Sequence, residues 1–143
     1  AAAILHDVGT FIRSSGHHKH GEYIVANSEI FGLSRDDLVI ASNVVRYHRK
    51  APPSNQHLNF IALAREDRVA VMKLAAILRV ADALDRGHDQ RVRIDSIERR
   101  EDRRALRPAA GPGGALDLSL ERLSLAEKGD MFENVFGLEP VLT

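Results

Sequence analysis

Apolar residues at helical spacing open the chain. Ile4, Val8 and Phe11 recur every three or four positions and predict a helix over residues 1–12. Ser14-Ser15-Gly16 breaks it, and a second helix is expected from about His20 to Glu29, ending at Phe31-Gly32. Ser34 followed by Asp37 has the spacing of a capping box and opens a third helix. On that helix Leu38, Ala41, Val45 and His48 share one face, and Ala51-Pro52-Pro53 stops it. A short helix near 58–64 follows. Over residues 66–86 the pattern is apolar nearly all round, with only Lys73, Arg79 and Asp82 polar between Val69 and Leu84, which predicts a centrally buried helix ending at Gly87.

The period then changes. Val92 and Ile94 alternate with charged residues, and Leu116, Leu118 and Leu120 alternate with Asp117, Ser119 and Glu121, which predicts half-buried strands. Pro108 to Gly114 reads as the hairpin loop between them. Ser124 with Glu127 has the form of a capping box for a helix through Phe132 and Phe136, and Leu138 to Leu142 reads as a returning strand. The expected fold is mainly α: a helical bundle over residues 1–88, then a small antiparallel α+β lobe over 89–143. The chain opens on Ala1-Ala2-Ala3 without Met or an N-cap residue, so the first helix is expected to be cut from a longer protein.

Composition narrows the chemistry. A length of 143 residues suits one domain with a small appendage. The absence of Cys excludes disulfides, thiolate metal sites and thiol nucleophiles. Lys+Arg 20 against Asp+Glu 20 argues against bulk nucleic-acid binding. No charge-free apolar run is long enough to span a bilayer. Seven His is an enrichment, and three of them lie within residues 17–20.

The candidate chemistry is therefore imidazole and carboxylate. His6-Asp7 sit together, His17, His18 and His20 follow, and His48 lies on the apolar face of its helix. Asp82 shares a stripe with Val71, Ala75 and Leu78, where a carboxylate must be neutralised by a cation, a hydrogen bond or a metal. His6, Asp7, His20, His48 and Asp82 come from four helical segments and offer ligands suited to zinc, manganese, iron or magnesium. The plainer alternatives are a hydrogen-bonded core His48, an Asp82 paired with Arg79 or Arg46, and a solvated 17–20 loop. His57 and His88 fit no pattern and read as surface residues.

A His-Asp pair, later single His residues and a buried Asp resemble the HD superfamily of metal-dependent phosphohydrolases. Leu5-His6-Asp7-Val8-Gly9, Ser15-Gly16-His17-His18-Lys19-His20, Arg46-Tyr47-His48-Arg49-Lys50 and Leu78-Arg79-Val80-Ala81-Asp82-Ala83-Leu84-Asp85 are similar to the C-terminal helical region of the exopolyphosphatase/guanosine pentaphosphate phosphohydrolase (Ppx/GppA) family. The resemblance is strong over about residues 2–88 and weaker in the strand-rich remainder. It implies an HD-type bundle in a cytoplasmic, homodimeric phosphoanhydride hydrolase that uses Mg²⁺ or Mn²⁺ on polyphosphate or pppGpp. The family's catalytic residues belong to actin-like domains upstream and map to no residue here. The implied role of this region is to hold the phosphate chain and to dimerise. Arg13, His17, His18, Lys19, Arg46, Arg49 and Lys50 gather around the two His motifs and would line one cationic mouth. Alternatively, Arg49 and Lys50 complement a helix C-terminus. The expected behaviour is phosphate-chain binding with little hydrolysis by this chain alone. The competing readings are an autonomous HD phosphohydrolase and an interaction module with a vestigial metal site.

Overall fold

A computed structural model describes residues 1–109 and 117–143. They divide into two compact units, residues 1–78 and 79–143. No helix among the described residues is long and apolar enough to cross a membrane.

The first unit holds α1 (Ala2–Leu5), a 3-10 turn (Val8–Phe11), α2 (His17–Ala26), α3 (Arg35–Tyr47), α4 (Leu58–Ile61) and most of α5 (Arg65–Leu84), which runs through the division. The expected helix over residues 1–12 is broken at His6-Asp7. Gly9 explains the break, because the chain here presses backbone against backbone onto α2. A Cβ on Gly9 would lie 1.9 Å from the His17 carbonyl oxygen and 2.5 Å from the Gly21 nitrogen. Helix α2 starts three residues before the expected point, at His17, because Gly16 takes the left-handed conformation (φ 75°) at the N-cap. The core of this unit is Val25, Leu38, Ala41 and Val45, with Leu5 and Val8 against it.

Helix α3 forms as its sequence predicts. The Ser34 Oγ accepts the Asp37 N–H at 3.1 Å, and the Asp37 carboxylate accepts the Ser34 N–H at 2.9 Å. Ser34→Ala is expected to lower stability by about 1 kcal/mol. Hydrogen bonds from Ser34 hold the Asp37 carboxyl below its ordinary pKa. A carboxylate with a depressed folded pKa stabilises the fold above its unfolded pKa and loses that contribution as pH falls through the folded value. Urea melts at neutral and acid pH should therefore show the cost of Asp37→Ala shrinking as Asp37 protonates. An unchanged cost at acid pH would contradict the box.

Helix α5 is not apolar-buried all round. Val71, Ala75, Ala76 and Leu78 are buried, whereas Val69, Leu74 and Ile77 are 43%, 48% and 50% exposed. The expectation took composition for burial; the helix has a covered side and an open one.

The second unit holds β1 (Ile94–Arg100), β2 (Arg103–Pro108), α6 (Ser119–Lys128), α7 (Asp130–Phe136) and β3 (Glu139–Leu142). Its core joins Val80, Ala83, Leu106, Leu118, Leu125 and Leu142. The sheet order is β1-β2-β3. It is mixed rather than antiparallel: β1 and β2 form a hairpin through Glu101-Asp102, and β3 returns parallel to β2 after the two helices. The strand expected around Leu116, Leu118 and Leu120 is corrected. Leu118 is the N-cap of α6, Leu120 lies within α6 and is 60% exposed, and Leu116 is outside the described residues. Leu118 and Leu125, seven apart, are the helical seam that the shorter alternation obscured. Ser124 is accordingly no cap but a buried residue inside α6, and the helix opens where the Asp117 carboxylate accepts the Ser119 N–H at 3.0 Å. The predicted hairpin loop falls mostly on 110–116, outside the described residues, and Pro108 instead ends β2.

Candidate metal and phosphate site

Three imidazoles and one carboxylate meet in the first unit. Asp7 occupies the break between α1 and the 3-10 turn (φ −99°, ψ 3°), His17 opens α2, and His48 closes α3. The Asp7 Oδ1 lies 3.1 Å from the His17 Nε2 and 3.8 Å from the His48 Nε2, and the two Nε2 atoms are 3.2 Å apart. His6 sits on the other carboxylate oxygen, its Nε2 3.3 Å from the Asp7 Oδ2. His17 and His48 are buried, while Asp7 is half-buried at the rim.

The opposite ring nitrogens fix the orientation. His6 Nδ1 lies 2.8 Å from the Ala3 carbonyl, His17 Nδ1 2.9 Å from the Ser14 carbonyl and His48 Nδ1 2.6 Å from the Val45 carbonyl. A carbonyl only accepts, so each Nδ1 carries the proton and each Nε2 turns a lone pair toward Asp7. This is the outer-shell arrangement that sets the tautomer of ligating histidines. Ligands about 2.0–2.1 Å from a tetrahedral ion stand about 3.3 Å apart. The Asp7–His17 and His17–His48 spacings, 3.1 and 3.2 Å, are close to that edge, and the Asp7–His48 spacing of 3.8 Å is somewhat longer. Two facing lone pairs on buried imidazoles are unfavourable unless a proton or cation lies between them. The residues present therefore fit a divalent cation, and zinc or manganese suits the nitrogen-rich set.

The remaining predicted ligands lie as follows. His20 is half-buried on α2, one turn beyond His17, and is not in the group within ligand reach. Asp82 belongs to the second unit, where the Lys128 ammonium forms an ion pair with it, and Arg79 faces Asp130 at 3.5 Å. Burial lowers the Arg79 pKa, opposed by Asp130 and Asp82. The geometry thus gathers His17, read from sequence as a phosphate contact, with Asp7 and His48. No sequence signal separates His17 from His20; the Gly9 contact with the His17 carbonyl does.

A cleft of about 460 Å³ opens in the same unit, lined by His18, Lys19, Arg46 and Lys50 with Tyr47 and His57. Arg49 is not among the residues lining the cleft; its Nη1 lies 3.5 Å from the His17 Nε2, on the imidazole group. Arg46 is held by Glu22 at 3.5 Å through Nε, yet its buried Nη1 has no hydrogen-bond partner among the described residues. Burial first, then the charge of Arg46 and the neighbouring His17, His48 and Arg49, pushes His18 down to about 4. It is neutral at physiological pH, so it offers the mouth a hydrogen bond rather than a charge. Lys50 adopts a left-handed backbone (φ 62°) just past the end of α3, a conformation that costs a non-glycine residue about 1 kcal/mol or more. Arg13 is exposed in the loop before α2 and is not among the residues lining the cleft. His57 is not a plain surface residue, since its Nδ1 is hydrogen-bonded to the Tyr47 hydroxyl at 2.9 Å and its ring stacks on Tyr47. Burial, with Glu22, raises the Tyr47 pKa to about 12, so the phenol stays protonated.

A family model described as Ppx/GppA phosphatase, domain III, matches residues 1–127.

Proposed function

The chain belongs to the Ppx/GppA phosphatase family, and on that premise we propose that Asp7, His17 and His48 hold a divalent cation while the adjoining cleft grips the phosphate chain of polyphosphate or pppGpp. The observation that carries this reading is the Arg46 guanidinium. It is mostly buried, it lines the cleft, and its Nη1 has no hydrogen-bond partner among the described residues. A buried donor without an acceptor costs about 1–3 kcal/mol, and a phosphate oxygen is the strongest acceptor that the cleft could receive. Lys19 and Lys50 add positive charge at the mouth, and neutral His18 adds a directional hydrogen bond. Arg49 adds positive charge beside the imidazole group, its Nη1 3.5 Å from the His17 Nε2. The cation, when bound, supplies charge neutralisation for phosphate oxygens and lowers the pKa of a bound water.

Titration calorimetry with polyphosphate, at two salt concentrations, tests the cleft. Arg46→Ala is expected to weaken binding about tenfold, the loss of one charge-assisted contact. Added salt should weaken it too, because exposed charges are screened over about 8 Å at physiological ionic strength. Binding that ignores both Arg46→Ala and Lys50→Ala would sink the proposal. A second reading, in which this centre itself hydrolyses phosphoanhydrides, draws on the convergence of Asp7 and the imidazoles. Phosphate release measured alongside decides it: turnover abolished by Asp7→Ala favours hydrolysis here, and its absence leaves a binding role.

A further inference from the structure

His57 fits no motif in the sequence, yet the fold fixes its ring at the wall of the cleft. As the N-cap of α4, it donates its backbone N–H to the Ser54 carbonyl at 2.9 Å, and its carbonyl accepts the Phe60 and Ile61 N–H groups at 3.0 Å each. The ring stacks on Tyr47, with centroids 5.5 Å apart and planes at 25°, and the buried Phe60 meets the same Tyr47 ring edge-on at 5.8 Å. Two residues on, the Asn59 Nδ2 donates to the Glu22 Oε1 at 2.8 Å, and the other oxygen of that carboxylate holds Arg46. The start of α4 is thereby tied to Tyr47 of α3 and to Glu22 of α2, the immediate neighbours of Arg46 in the fold. His57, Tyr47 and Arg46 line both the 460 Å³ cleft and a smaller one of about 240 Å³.

The hydrogen bond between the Tyr47 hydroxyl and the His57 Nδ1 fixes the tautomer. Tyr47 is buried, a phenol is protonated at neutral pH, and Nδ1 is the only acceptor that the hydroxyl meets among the described residues. Were Nδ1 to carry the ring proton, the phenol proton would be buried without an acceptor, which is unfavourable. Nδ1 therefore accepts, and the neutral ring carries its proton on Nε2. That N–H has no partner among the described residues. We propose that His57 is a second anchor for the phosphate chain: its Nε2–H donates to one oxygen of a condensed phosphate while the Arg46 guanidinium holds another, and Tyr47 is the positioning residue that aims the ring. The proposal rests on the cleft reading above and adds a neutral donor that is already held in place. Lys19 and Lys50 attract a phosphate chain but specify little geometry, since an ammonium is a point charge on a flexible stem. A stacked, hydrogen-bonded imidazole offers one N–H in one direction and loses little freedom on binding.

Calorimetric titration of the whole chain with tripolyphosphate tests the anchor. His57→Ala should weaken binding about tenfold, the loss of one hydrogen bond to a charged acceptor. His57→Gln, whose terminal amide N–H can stand where the Nε2–H stood, should recover affinity to within about threefold of the original, whereas the shorter His57→Asn should not. Nitrogen-15 NMR of the original chain adds a readout that a merely structural His57 would not move. Nε2 should carry the proton before tripolyphosphate is added, and its resonance should then shift more than that of Nδ1. Circular dichroism checks the fold of each variant, and the NMR titration needs no variant. Unchanged affinity in His57→Ala, a His57→Gln chain no better than His57→Ala, a proton on Nδ1, or an Nε2 resonance indifferent to tripolyphosphate would each overturn the inference. Arg46→Ala in the same series separates the two readings. Weakened binding there with His57→Ala unaffected removes His57 and leaves the cleft, and no effect of either variant removes both.

Discussion

Gly9→Ala is expected to destabilise the chain by about 3 kcal/mol or more, at the upper end of what overpacking costs. The added Cβ would stand 1.9 Å from the His17 carbonyl oxygen, 2.5 Å from the Gly21 nitrogen and 2.8 Å from the His17 carbonyl carbon. All three are backbone atoms of α2, so no side chain can turn aside. Either α2 moves away from the 3-10 turn or the unit unfolds. In the first case His17 leaves Asp7 and the imidazole group opens. Two other glycines give the scale. At Gly21 a Cβ would meet the Val45 Cγ1 at 2.8 Å, the end of a side chain that has other rotamers. At Gly16 nothing among the described residues lies within 4 Å, and the left-handed backbone is what opposes a side chain, at about 1 kcal/mol. Urea melts of the three alanine variants should rank Gly9 as the costliest by a wide margin. A Gly9→Ala protein as stable as Gly21→Ala would mean that the turn does not rest on α2 as described.

Asp7→Ala is expected to reduce divalent-metal affinity at least roughly a hundredfold, more than the loss of a typical outer-shell partner. Asp7 is the only carboxylate in the group, and its two oxygens face different imidazoles. Without it, two neutral nitrogens from His17 and His48 remain, which is a weak and uncharged pair of ligands. The loss also shows in stability. A metal that binds only the folded chain raises the melting temperature in proportion to the logarithm of its concentration over Kd. That rise should be plain in the original chain and nearly absent in Asp7→Ala. Asp7→Asn, which keeps the shape and removes the charge, should behave like Asp7→Ala. A melting temperature that rises equally in all three would place the metal elsewhere.

What the sequence discloses here is mostly local. The cap, register and buried face of α3 could be read because Ser34, Asp37 and the Leu38-Ala41-Val45 stripe interact within one helix. The start of α6 could not, because Leu118 and Leu120 satisfy a strand period while Leu118 and Leu125 satisfy a helical one, and tertiary burial chose the second. Strand β2 was hidden for a different reason. Arg103, Arg104 and Arg107 surround the buried pair Ala105-Leu106, so its hydrophobic signal is only two residues long. At the candidate site, His6-Asp7 and His48 stand out in the sequence as motifs, yet which member of the 17–20 run joins them is set by a backbone contact between distant residues. Periodicity carries no trace of such a contact. Nor does the sequence disclose that His18 is kept neutral by burial and by the cations around it, since those neighbours come together only in the fold.

The most direct measurement is a metal-binding isotherm, with Mn²⁺ and with Zn²⁺, on the whole chain and on its His17→Ala and His20→Ala variants. His17 is 3.1 Å from the Asp7 carboxylate and 3.2 Å from the His48 Nε2, whereas His20 lies outside that group. The account predicts one site in the original chain, near-complete loss of binding in His17→Ala, and retention within a few-fold in His20→Ala. Binding that survives in His17→Ala but disappears in His20→Ala, or no binding by the original chain, would contradict it.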